Sequence, residues 1–127
     1  MKRRSLILAG AAALLVVGAL LAVLQALEPE APAPRAVVRF DMVAGRYFYD
    51  PGMAEVPLGA TVEIVLSSSD VTHGFAIREY GIDVRIPPGE PVTVRFVADR
   101  VGVFEYFCTV FCGSGHPQHR GRLTVSA

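Results

Sequence analysis

Tryptophan is absent from these 127 residues, lysine occurs once, at Lys2, and there are two cysteines, Cys108 and Cys112. Each shortage removes a class of function. From Glu28 onward the positive charge comes from nine arginines, against twelve acidic residues, a balance of nine minus twelve, or −3. A mildly acidic chain lacks the basic face that a phosphate backbone requires, so nucleic acid is not an expected partner. Two cysteines permit at most one disulfide. No C-x-x-C-H run attaches a haem, no Gly-rich loop cradles a phosphate, and no Ser/His/Asp arrangement offers a nucleophile. After Leu27 no segment holds a 3.6-residue apolar period long enough for a helix.

What the chain has at its start is an apolar run. Lys2, Arg3 and Arg4 precede Ser5 to Leu27, 23 residues without a charge. A helix rising about 1.5 Å per residue would extend about 34 Å over that run, enough for a bilayer core. A cleavable signal has a shorter apolar region, about 7 to 15 residues, ahead of a small-x-small site. Ala31 and Ala33 imitate such a site, but Pro32 and Pro34 around it make an awkward cleavage point. The expectation is a retained single-pass anchor over 1–27, with a removed signal as the alternative, and both export the remainder. The basic cluster predicts a cytoplasmic N-terminus, with the rest on the outer, periplasmic or extracellular, face of the cell membrane. Residues 28–35, EPEAPAPR, predict a stiff, extended spacer.

Residues 36–127 form the domain itself. Val38, Phe40 and Met42 alternate with Arg39 and Asp41, and Val62, Ile64 and Leu66 alternate with Thr61, Glu63 and Val65. Phe75 with Ile77, then Val92, Val94 and Phe96, then Leu123 with Val125, continue the period of two. Asp50-Pro51-Gly52, Pro57-Leu58-Gly59, Pro87-Pro88-Gly89 and Arg100-Val101-Gly102 punctuate the runs as turns. This predicts an all-β domain of seven or eight short antiparallel strands, a Greek-key sandwich half buried against a second sheet.

The soft donor atoms are concentrated in FCTVFCGSGHPQHRG, where Cys108, Cys112, His116 and His119 read C-x3-C-x3-H-x2-H between a strand and the last strand. Gly113, Ser114, Gly115 and Pro117 make a turning loop that lets donors converge as a straight strand does not. The third histidine, His73, opens the strand through Phe75, and completes the site if its loop lies at the same end of the sandwich. Other readings stay open on spacing alone. The cysteines of an exported domain form a disulfide in many proteins, a lone strand histidine is often structural, and Cys2His2 also suits zinc.

The surrounding pattern resembles subunit II of haem-copper cytochrome c oxidases. The matching parts are DPGMAEVPLGATV (50–62), DVTHGFAI (70–77), PPGEPVTVRF (87–96) and GVFEYFCTVFCGSGH (102–116), and the resemblance runs from Arg39 to Val125. The single N-terminal anchor is similar to that of the shorter bacterial members. The resemblance implies a cupredoxin fold with a binuclear copper centre, CuA, holding two copper ions. By it, Cys108 and Cys112 bridge the ions, His73 and His116 bind one each, and the backbone carbonyl of Val110 is a weak axial ligand. It implies a non-catalytic electron-transfer subunit of the respiratory chain, receiving electrons from cytochrome c or a similar carrier and passing them to the haem-copper catalytic subunit I.

Two departures stand out. The family's remaining weak ligand is a methionine three residues after the second histidine ligand, and here that position is His119. Imidazole is the stronger donor and favours Cu(II), so the expectation is an axial imidazole ligand and a lowered potential, against a solvent-facing or supporting role. Tryptophan, common in the family where electrons arrive, is missing; Tyr47, Phe48 and Tyr49 occupy the comparable stretch and read more readily as packing residues. An alternative function is therefore a free-standing, membrane-anchored cupredoxin acting as electron carrier, copper-handling protein or sensor.

Overall fold

The computed structural model describes residues 2–27 and 35–127 and, within the first helix, the side chains of residue 10 and residues 12–26. The spacer expected over 28–35 lies, apart from Arg35, outside the described residues, as do Ala31, Ala33 and the side chains of Lys2, Arg3 and Arg4. The chain divides into two compact units, Met1–Ala33 and Pro34–Ala127.

The first unit contains α1 (Lys2–Ala26). Leu14, Leu15, Leu20 and Val23 of this helix are all exposed. Among the described residues, no helix is long and apolar enough to cross a membrane.

Among the described residues the second unit holds nine strands, more than the seven or eight expected: β1 (Val37–Gly45), β2 (Phe48–Asp50), β3 (Met53–Pro57), β4 (Thr61–Ser68), β5 (His73–Ile77), β6 (Ile82–Ile86), β7 (Val92–Val97), β8 (Gly102–Phe107) and β9 (Arg120–Ser126). They form a four-stranded sheet in the order β2-β1-β4-β7 and a five-stranded sheet in the order β3-β9-β8-β5-β6. Period-two alternation decides the inward face. In β4, Val62, Ile64 and Leu66 are buried while Thr61, Glu63 and Val65 are not; in β1, Met42 and Ala44 are buried, with Val38 and Phe40 packed against the core. Phe75, Ile77, Tyr106, Leu123 and Val125 meet them from the second sheet in one cluster. Each such side chain contributes about 1.5–3 kcal/mol when fully buried.

The pairing differs from expectation in one respect. Two pairs are parallel: β1 with β4, from Val37↔Thr61 to Ala44↔Ser68, and β3 with β9, from Met53↔Arg122 to Pro57↔Ser126. The chain leaves the first sheet after β2, contributes β3 to the second, and returns as β4 beside β1 in the same direction. Alternation records which face of a strand is buried and leaves its neighbour open, so a run of hairpins and this crossover leave the same pattern. After β5 and before β9 come short 3-10 turns, Arg78–Tyr80 and His116–Gln118, and no longer helix follows α1 among the described residues.

Candidate metal centre

Two chain segments supply the donors, the start of β5 and the loop between β8 and β9. β5 is buried along its whole length and opens with His73, which the core side chains following it hold in place. β8 ends at Phe107, and the loop from Cys108 carries the other donors back to β9. A hydrogen bond from the Cys108 N–H to the His119 carbonyl, 3.1 Å, closes the loop at its base. Within it, His116 N–H donates to Gly113 O and His119 N–H to His116 O, each at 3.1 Å, winding the segment into the 3-10 turn. Gly113 sits at φ +137, and a Cβ there would lie 2.3 Å from the Tyr47 hydroxyl oxygen. A side chain at this position is therefore strained by conformation and crowded by that hydroxyl.

The result brings four of the expected residues together. Cys108 and Cys112 are both buried and free, with Sγ atoms 3.9 Å apart, against about 2.05 Å in a disulfide. One donor atom from each of His73, Cys108, Cys112 and His119 lies within 4.8 Å of the others. His116 stands outside that group of four, half-buried, with Nδ1 3.6 Å from Cys112 Sγ. The Val110 carbonyl oxygen is 3.1 Å from Cys108 Sγ, so the backbone, whatever the side chain, faces the sulfur pair.

His119 does not face solvent: it is fully buried, with Nδ1 3.7 Å from Cys112 Sγ and Nε2 2.7 Å from the Phe48 carbonyl oxygen. That carbonyl accepts only a proton-bearing nitrogen, which leaves Nδ1 with its lone pair toward the sulfurs. Burial, outweighing the Phe48 hydrogen bond and reinforced by His73 and His116, lowers its pKa and keeps the ring neutral. His73 has the same construction. Its Nε2 is 2.6 Å from Asp70 Oδ1, and its Nδ1 is buried with no hydrogen-bond partner among the described residues. An orphaned ring nitrogen beside two free sulfurs is what a bound soft ion would satisfy, so the residues present fit a thiolate-binding metal. Burial, then the neighbouring Cys108 sulfur, pushes the Cys112 thiol up to about 11. A cation that displaces its proton relieves that cost.

Several supporting residues carry no mark in the metal-ligand spacing. Asp70 accepts the backbone N–H of Val71 at 2.6 Å and of Arg46 at 2.9 Å. Burial raises its carboxyl pKa, but these bonds and the one to His73 outweigh it and hold the group at about 2, ionised. Arg46 Nε also donates to the Cys112 carbonyl at 3.1 Å. The buried Tyr49 hydroxyl donates to Gly74 O at 2.6 Å, and its ring lies 4.2 Å from that of His119. Gly74 N–H in turn donates to Cys108 Sγ at 3.2 Å. Asp70 had a signal, three residues before His73 in DVTH. Arg46 and Tyr49 had none, because their partners are 25 to 66 residues away.

Comparison with known proteins agrees with this geometry. Residues 50–120 match the family described as cytochrome C oxidase subunit II, periplasmic domain. The chain is 37% identical over 84 residues to a cytochrome c oxidase subunit 2 of Thermus thermophilus, covering 66% of this chain and 62% of that protein. A second Thermus thermophilus subunit 2 is covered over 50% of its length, so the chain spans between half and two thirds of these relatives. Among solved structures, a chain of a heme-copper terminal oxidase dimer superposes with a TM-score of 0.65 at 25% identity, covering 94% of this chain and 96% of that one. Auracyanin A, a blue copper protein of Chloroflexus aurantiacus, superposes with a TM-score of 0.60 at 19% identity over 72% of this chain and 100% of its own, a likeness of fold. With a cupredoxin-like sandwich, a matched stretch of more than half the chain and the Cys/His constellation at one end, the protein belongs to the cytochrome c oxidase subunit II family by its periplasmic domain.

Proposed function

We propose that the chain transfers electrons through a binuclear copper centre of the CuA type, as the electron-receiving subunit of a haem-copper terminal oxidase. The observation that carries the reading is the pair of free, buried sulfurs 3.9 Å apart, with imidazole nitrogens beside them. Cys108, Cys112, His73 and His116 would hold the two copper ions, with the Val110 carbonyl and His119 as further donors. Bound copper supplies a one-electron couple. The chain's own part is to hold the donors still, since an electron-transfer site needs little movement between oxidation states. The Cys108–His119 backbone bond, the Arg46 bond to Cys112 and the Tyr49 bond to Gly74 tie the ligand segments to the sheets.

The donor would be cytochrome c or a similar carrier, and the acceptor the haem-copper catalytic subunit. Phe111, 78% exposed, has its ring 5.7 Å from that of His116, and a surface depression of about 380 Å³ lies between Arg46, Val110 and Phe111. This offers an apolar contact at the edge of the site in a chain without tryptophan. The run Ser5–Leu27 and the exposed leucines of α1 support a retained anchor with the copper domain on the outer face. Purification of the tagged full chain from its native membranes tests the assignment: a copurifying haem-copper catalytic subunit is expected. Recovery of a copper-loaded chain free of any haem protein would favour the free-standing carrier instead.

A further inference from the structure

The two sides of the sulfur pair are unequal. His73, Cys108, Cys112 and His119 are all buried and place their donor atoms within 4.8 Å of one another. His116 is half-buried and lies on the side of Cys112 toward the exposed Phe111. A tetrahedral ion held about 2.3 Å from sulfur and about 2.0–2.1 Å from nitrogen needs donor-to-donor edges of about 3.3–3.8 Å. The Cys108–Cys112 edge is 3.9 Å and the Cys112–His119 edge 3.7 Å. Two edges therefore already have nearly the required length, and the others close by side-chain shifts of about 1 Å, given those bond lengths.

Both imidazoles are held in the orientation such an ion requires. His73 Nε2 is engaged by Asp70 and His119 Nε2 by the Phe48 carbonyl, each leaving Nδ1 for the interior. Donation of the outer ring N–H to a carboxylate or carbonyl is the usual support of a metal-ligating histidine. A thioether at position 119 would leave three strong donors and one weak one. Imidazole makes four, the S2N2 set that suits a closed tetrahedral site.

We propose that His73, Cys108, Cys112 and His119 form a self-sufficient site for a single tetrahedral ion, zinc(II) or copper(I), filled without the His116 side. The proposal deepens the copper reading above and rests on it for the second ion alone. Its consequence is an order of assembly: the closed half fills first, and zinc competes with copper for it before the second position is occupied.

The test uses the reduced, metal-free full chain in detergent, titrated with cobalt(II) as a coloured stand-in for zinc and then with zinc. One equivalent of cobalt, with the intense visible bands of a tetrahedral thiolate site and displacement by zinc, is expected for the unchanged chain and for His116→Ala. His119→Ala and His119→Met should bind about tenfold more weakly or worse, with the tetrahedral bands lost, and circular dichroism should show both variants folded. Cobalt binding that survives in folded His119→Ala and is lost in His116→Ala would overturn the proposal, as would two equivalents of equal affinity. A parallel copper(I) titration separates the two ideas: one copper in the unchanged chain removes the binuclear reading and leaves the four-donor site standing.

Discussion

Asp70 acts on the site through His73, and the bond between them, 2.6 Å from carboxylate to Nε2, fixes which ring nitrogen faces the sulfurs. Asp70→Ala should lower copper affinity about 10- to 100-fold while leaving the copper-to-protein ratio at saturation unchanged, measured by competition with a chelator. Tyr49 has a different role. Its hydroxyl is the partner of the buried Gly74 carbonyl, and Gly74 N–H is the donor to Cys108 Sγ. Tyr49→Phe leaves that carbonyl unpaired, a cost of about 1–3 kcal/mol in denaturant unfolding of the metal-free chain. The ring itself, packed edge-on to Phe75 and Tyr106, stays in place.

Among the elements, β4 and β1 carry the core and β5 with the β8–β9 loop carries the chemistry, and the two tasks separate in mutants. Ile64→Ala in β4 should cost about 2–5 kcal/mol of stability and leave copper stoichiometry unaltered, read by chemical denaturation beside metal analysis. The alternation of β1, β4 and β7 was legible because one face is buried and the other wet. β2, three residues long, is too short to show any period, and β6 carries alternation in Ile82, Val84 and Ile86 but only over five residues between Gly81 and Pro87. The parallel pairings were not legible, because a strand's neighbours depend on crossovers that no local pattern encodes. Within the site, the cysteines and histidines announced themselves by chemical type and close spacing. The grouping did not: the tight set of four includes the distant His73 and excludes His116, because the 3-10 turn carries His119 inward and leaves His116 toward the rim. The Phe48 carbonyl, which orients His119, is backbone and has no sequence signature at all.

For the molecule as a whole, the proposed electron transfer places the donor at the edge of the sandwich where Phe111 is exposed beside His116. Phe111→Ser should slow reduction by a cytochrome c-type donor about tenfold, equivalent to about 1.4 kcal/mol, with copper content unchanged in stopped-flow assays of the loaded chain. With a basic donor, the domain's mild excess of acid over arginine should make the same reaction slower at higher salt in that assay. Whether the proposed centre of Cys108, Cys112, His73 and His116 holds two coppers is read by electron paramagnetic resonance of the copper-loaded full chain with metal quantitation. Two coppers per chain and one unpaired electron split by both copper nuclei are expected; a single copper per chain with splitting from one nucleus would overturn the binuclear reading.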